Sequence, residues 1–223
     1  KDEDMAHHFL VKAQTYVRKH KEQPFFLYYA LQQPHVPRTP GPNFVGKSGL
    51  GPRGDVILEA DWVIGEFIKT LEKEGILENT LIVFSSDNGP VLNDGYEDDA
   101  VEKLGNHDPK GGLRGGKYSL FDAGTHVPLI TYWKGKIKPQ VNEALVCQVD
   151  LMASFATLIN GRIKASDSKD LLTVFLGESN IGRQTLILEA NTKTAYREGN
   201  WIMIPPYTGE AINTQVNIEL GNS

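Results

Sequence analysis

Apolar positions recur at helical spacing near the start of the chain. Phe9, Leu10, Ala13, Tyr16 and Val17 share one face and predict an amphipathic helix over 7–20, with Pro24 just beyond it. The pattern then changes to a continuous apolar run, Phe25 to Leu31, which suits a strand covered on both faces, as in a parallel sheet. Residues 38–54 are rich in Gly and Pro and read as an irregular loop. Helical spacing returns at Ile57, Ala60, Ile64, Phe67, Ile68 and Leu71, predicting a helix over about 55–74 that Gly75 stops. A second buried-strand run, Thr80 to Ser85, ends in Ser86-Asp87-Asn88-Gly89-Pro90. A long polar loop over about 91–117 closes in a glycine-rich stretch, and Val127 to Trp133 reads as a third strand. A helix over 151–159 is expected to open on Asp150 as N-cap and to stop at Gly161.

Strands alternating with helices imply an α/β fold with a partial, mostly parallel sheet flanked by helices. After about residue 165 the segments shorten. Residues 184–190, 194–197 and 201–204, with the turn Glu198-Gly199-Asn200, predict a small antiparallel sheet. The expected organisation is therefore a layered domain over 1–164 and a small antiparallel C-terminal subdomain over 165–223.

Composition narrows the function. The 223 residues carry a formal charge of −5. A mildly acidic chain lacks the basic surface that nucleic acid binding requires, yet a few cations in a cleft can still hold an anion. No apolar run approaches the length of a membrane span. The lone Cys147, inside Ala144-Leu145-Val146-Cys147, reads as a small buried apolar residue and excludes an intrachain disulfide. Lys1-Asp2-Glu3-Asp4 has no signal-peptide character and no initiating Met, as expected of a processed or excised chain.

Three polar clusters follow predicted strands, and open α/β sheets bind ligands beyond the carboxyl ends of their strands. Singly, each has a plain reading: His35 as a structural residue, Asp87-Asn88-Gly89 as a turn, the glycines around Lys117 as a flexible loop. Together they resemble a family. Asn79 to Gly89 looks like the strand and metal-binding turn of the formylglycine-dependent sulfatases of the alkaline-phosphatase-like superfamily. Leu113-Arg114-Gly115-Gly116-Lys117, leading into Gly124-Thr125-His126-Val127-Pro128, resembles their second signature. Pro34-His35-Val36-Pro37 matches their proline-flanked histidine. Asp167-Ser168 and Arg197 to Trp201 resemble their C-terminal subdomain.

That resemblance implies a calcium-assisted hydrolase of sulfate esters, with aryl or carbohydrate sulfates as substrates. Asp87 and Asn88 would be calcium ligands, which suits the preference of calcium for carboxylate and amide oxygens. Lys117 would hold the sulfate, and His35 would contact it and protonate the leaving oxygen. His107 is a candidate contact to the substrate beyond the sulfate. His35 and Lys117 are expected on the same rim of the sheet as Asp87. His126 stands where the family often has Arg.

The family's upstream Asp pair and its Cys- or Ser-x-Pro-x-Arg sequence, whose first residue becomes formylglycine, have no match here, since Cys147 precedes Gln148-Val149-Asp150. The relatives' Leu-Tyr-Asn/Asp-Leu segment also has none. The expectation is a fragment of the parent enzyme that is itself inactive and exposes a sheet edge capable of self-association. Family resemblance places the parent in a periplasmic, secreted or lysosomal setting. Two other readings compete: a phosphate-ester hydrolase or transferase of the same superfamily, for which more histidine ligands are expected, and a non-catalytic scaffold.

Overall fold

A computed structural model describes residues 1–221. The chain forms two compact units. The first comprises residues 1–80, 90–112 and 214–217, and the second comprises 81–89, 113–213 and the C-terminal residues from 218 onward.

The first unit is built on two helices, α1 (Met5–His20) and α2 (Gly51–Lys73). Ala6 and Leu10 of α1 meet Val63 of α2, and Tyr29, Leu31 and Phe67 pack around them. Polar links add register: Gln14 Nε2 donates to Thr70 Oγ1 at 2.9 Å, and Lys21 Nζ reaches Glu74 at 3.0 Å. The expected loop over 38–54 ends earlier than its composition suggested, because α2 begins at Gly51 with Pro52 in its first turn. A proline costs nothing there, since first-turn N–H groups have no intrahelical acceptor. Beyond the helix start, Asp55 accepts from Gly46 N at 2.7 Å and from Ser48 N and Oγ at 2.9 and 2.7 Å. Glu59 accepts from Gly41 N at 3.1 Å. Two buried carboxylates of α2 thus tie down the segment that leads into it.

The 25–31 run differs from expectation. It is extended but lies in no ladder of the described residues, and its burial alternates: Phe25, Leu27, Tyr29 and Leu31 are half-buried, while Phe26 and Tyr28 are 71% and 82% exposed. A continuous apolar run records that both faces are apolar; it does not say what covers each. The Tyr29 ring meets Phe67 edge-on at 5.9 Å, and its hydroxyl is buried without a partner among the described residues. Burial pushes that phenol up to about 12. Tyr29→Phe keeps the ring and removes the orphan hydroxyl, so it should raise stability by about 1 kcal/mol. The unfolded chain releases the proton near the ordinary tyrosine value, below the folded one. Wild-type stability should therefore fall as pH rises from that ordinary value toward about 12, and the Phe variant should lack this component. Urea unfolding of both proteins across that window checks both statements.

In the second unit, β1 (Ile82–Ser85) pairs with β2 (Leu129–Tyr132), with Ile82 opposite Tyr132 and Ser85 opposite Leu129. The pairing is antiparallel, where the apolar runs had suggested parallel neighbours. Apolar composition carries no direction, and the long connection between these strands allows either sense. Between them lies a one-turn helix, α3 (Asp122–Thr125). Helix α4 (Asp150–Leu158) follows, with Asp150 as its first residue rather than its cap. The Asp150 carboxylate, fully buried, accepts from Cys147 N at 3.0 Å, from Lys169 N at 2.8 Å and from Arg183 Nε at 2.7 Å. After α5 (Leu172–Phe175) comes the expected antiparallel sheet, β3 (Thr185–Ala190), β4 (Lys193–Glu198) and β5 (Trp201–Met203) in that order. Gly199, at φ 55°, makes the β4–β5 turn. A short hairpin that the pattern did not reveal, β6 (Ile212–Asn213) with β7 (Ile218–Glu219), completes the described elements. Among the described residues no helix is long and apolar enough to cross a membrane.

Candidate active site

The second unit contains the Asp87-Asn88 turn and the Lys117 loop. Strand β1 delivers the chain to Ser86, whose hydroxyl donates to the Asn88 carbonyl at 3.0 Å and closes the turn. Gln148 Nε2 donates to Ser85 Oγ at 2.8 Å and also to the Ser86 carbonyl, while Ser85 Oγ donates to the Pro128 carbonyl at 2.9 Å. The end of the strand is thus fixed before the turn begins. Asp87 is exposed. Asn88 Nδ2 donates to the Gly89 carbonyl at 2.9 Å, and its Oδ1 is the side chain's acceptor.

Gly89 explains why the turn sits where it does. Its N–H donates to the Gly124 carbonyl at 2.9 Å, and a Cβ at this position would overlap the Ala123 carbonyl oxygen. Gly124 in turn lies so close to the carbonyls of Ser119 and Gly116 that it has no room for a side chain either. The loop from 113 to 121 is built over this contact. Ser119, fully buried, donates its N–H to the Gly116 carbonyl at 3.0 Å and accepts from Phe121 N at 3.1 Å. Ala123 N donates to the Arg114 carbonyl at 2.9 Å. Lys117 is half-buried, with its ammonium 5.2 Å from the centre of the Tyr118 ring. Tyr118 takes φ 76°, a left-handed conformation that is strained for a residue with a side chain and that aims the loop.

The sequence missed two supports here. Asp122 pairs with Arg197 of β4 at 3.3 Å. His126 is exposed, and its backbone N–H donates to the Asp122 carbonyl at 2.7 Å. Arg114 stacks over Phe121 at 3.9 Å and pairs with Glu219 of β7. Both partners lie far away in sequence, so no local pattern announces them.

His35 and His107 belong to the first unit. His35 is exposed, and its Nδ1 lies 2.7 Å from the Val36 carbonyl. A carbonyl only accepts, so Nδ1 carries a proton, and Nε2 is the basic nitrogen of the neutral ring. Nε2 lies 3.8 Å from Asp94. The flanking Gln33–Pro34 and Val36–Pro37 bonds are both cis. Arg38 holds this loop in place. It is buried, and its guanidinium donates to the carbonyls of Pro34, Val91 and Leu92 at 3.0, 3.1 and 3.0 Å and to Asp98 at 2.9 and 3.2 Å. Nothing in the sequence around Arg38 flagged it. His107 is exposed and lines a pocket with Lys47 and Arg53.

One carboxylate and one amide oxygen on a closed turn are donors that suit a hard cation such as calcium. Among the described residues they belong to no cluster of three or more His, Cys, Asp or Glu, so such an ion would need further ligands.

Comparison with known proteins returns one family. A sulfatase family model matches residues 2–161. The chain is 46% identical over its whole length to an N-acetylgalactosamine-6-O-sulfatase of Bacteroides thetaiotaomicron, of which it covers 44%. It is 32% identical to human arylsulfatase A over 81% of the chain and 33% of that protein. A solved structure from work on the metabolism of multiple glycosaminoglycans by B. thetaiotaomicron superposes on all of the chain with a TM-score of 0.96 at 45% identity, the match covering 47% of that structure. A sulfatase from Pseudoalteromonas sp. superposes on 91% of the chain with a TM-score of 0.77 at 26% identity. The fold is therefore that of the alkaline-phosphatase-like sulfatases, and the chain spans less than half the length of these relatives.

Proposed function

We propose a function on one premise: this chain belongs to the sulfatase family. The full-length protein hydrolyses sulfate esters, and its substrates are sulfated saccharides that include a 6-sulfated N-acetylgalactosamine unit. The similarity to the Bacteroides enzyme supports that substrate class. The observation that carries the reading is the joining of two polar loops in one unit. The Asp87-Asn88 turn and the Lys117 loop share the Gly89–Gly124 hydrogen bond and a contact too close for any side chain.

In this reading residues 1–164 are part of the catalytic domain and 165–223 its C-terminal subdomain. Asp87 and Asn88 Oδ1 would hold calcium, and a formylglycine would supply the nucleophile. Bound calcium would balance charge on the non-bridging sulfate oxygens. Lys117 adds a second positive charge to those oxygens, held in place by the strained Tyr118 and the buried Ser119. His35, as its imidazolium, delivers a proton from Nε2 to the leaving oxygen, its ring fixed by the Val36 carbonyl. The Arg38 anchor prevents the loop from drifting, which matters because small displacements of a reacting group cost rate steeply. A secreted, periplasmic or lysosomal location is the setting that fits the family.

The test compares matched aryl sulfate and aryl phosphate esters with the full-length protein carrying mature formylglycine. Sulfate turnover that exceeds phosphate turnover and that is lost to a calcium chelator and restored by calcium is expected. Faster phosphate cleavage would overturn the reading. The 223-residue chain assayed beside it should show no turnover, since removing the nucleophile from a covalent pathway removes the pathway.

A further inference from the structure

Arg53 is placed against its own electrostatic interest. It is 8% exposed, yet among the described residues its guanidinium makes no hydrogen bond and no ion pair. It stands in the first turn of α2, where the helix dipole opposes a cation and no acidic residue offsets it. Arg38 is close enough to lower the Arg53 pKa further, after burial itself, and Asp98 opposes them both. The Asp98 carboxylate, however, is already engaged by Arg38. Two neighbouring arginines therefore share one carboxylate. Asp55, two positions on, is spent on the backbone of Gly46 and Ser48. A half-desolvated cation with no protein counter-charge is costly, and a ligand that supplies the counter-charge offsets that cost.

Arg53 opens onto a pocket of about 300 Å³ lined also by Lys47, His107, Leu50, Ile57 and Leu58. That size lies at the lower end for small-molecule sites. Its chemistry is two-sided. The guanidinium, the exposed Lys47 ammonium and the His107 ring provide donors for an oxyanion, and the Leu and Ile side chains provide an apolar wall against which a sugar ring can lie.

We propose that this pocket binds an oxyanion-bearing sugar unit, with Arg53 as the principal anion contact and Lys47 and His107 as its flanking donors. The anion is a sulfate or a carboxylate, and a charged saccharide supplies either. The saccharide part rests on the proposed sulfatase function; the anion part rests on Arg53 alone.

The experiment is calorimetric titration of the 223-residue chain with sodium sulfate, glucuronate, N-acetylgalactosamine 6-sulfate and neutral N-acetylgalactosamine, at constant ionic strength set with chloride. The charged sugars are expected to bind and the neutral one not, and the stronger of the two identifies the anion. Arg53→Met, which keeps length and helix propensity, should weaken binding about tenfold or more, as expected for loss of a charge-assisted hydrogen bond. His107→Ala, at an exposed position, should weaken it by a few fold without touching the fold. Thermal unfolding gives the readout that separates a ligand site from a structural arginine. Arg53→Met should melt at or above the wild-type temperature when no anion is added, and a clear drop would mean that Arg53 is a structural residue and sink the proposal. Equal binding by wild type and a folded Arg53→Met would also sink it. Inorganic sulfate that binds as tightly as the sulfated sugar would overturn the saccharide part. Binding is read without turnover, so sulfate hydrolysis by the full-length protein could stand while this proposal falls, and the reverse.

Discussion

Replacing His35 with Ala in the full-length protein should slow hydrolysis of unactivated saccharide sulfates by about 10²- to 10⁴-fold, the range for loss of a positioned general acid. The loss should shrink steadily as the leaving group improves. A nitrophenolate departs without a proton, so an activated aryl sulfate should keep most of its rate. This dependence follows from the ring's geometry. Nδ1 is committed to the Val36 carbonyl, so proton exchange with a substrate falls to Nε2, which lies 3.8 Å from Asp94. The measurement is kcat/KM for a series of aryl sulfates of graded phenol acidity with both proteins. An equal loss across the series would assign His35 to binding rather than proton transfer. No loss at all would remove it from the site.

Asp150→Ala should destabilise the chain by about 3–5 kcal/mol, the cost of leaving one partner of a buried ion pair alone. Arg183 would lose its carboxylate in a setting where its side chain is 9% exposed, and the N–H groups of Cys147 and Lys169 would lose their acceptor. Burial alone would raise the Asp150 pKa. Hydrogen bonds from Arg183 and from the backbone of Lys169 and Cys147 outweigh it and hold the carboxyl below its usual range. The sign of the pH effect follows. The folded state binds this proton less readily than the unfolded one, so the stabilisation is complete above the ordinary carboxylate pKa. It drains away as pH falls through the lower folded value. Urea unfolding of wild type and variant should therefore differ most above that ordinary pKa and converge in acid. A difference under about 1 kcal/mol at neutral pH would mean that the pair is solvated in solution.

What the sequence revealed and what it hid divide along physical lines. Helical spacing located α1 and most of α2 because one face of each is apolar, and the β3–β5 sheet was legible from short apolar segments and the Gly199 turn. Strand direction was not legible. Ile82 to Ser85 would look the same in a parallel or an antiparallel ladder, and the partner Leu129 to Tyr132 is fixed by tertiary contacts. Asp150 had the right residue type for a cap but sits one position inside the helix, because its carboxylate is recruited by Arg183, thirty-three positions away. At the candidate site, the polar side chains could be named from their order along the chain. Arg38 and Arg197 could not, since an arginine that anchors a loop reads locally like one that faces water.

The Gly89–Gly124 contact has a mechanical consequence. Two loops that share a hydrogen bond, and that approach too closely for a methyl group, have no soft spring between them. A displacement of Asp87 and Asn88 is passed through Gly89 to the backbone of Ala123 and Gly124, and from there to the carbonyls of Ser119 and Gly116 on either side of Lys117. An ion gripping the first loop would therefore also damp the motion of the second, and with it the motion of Lys117.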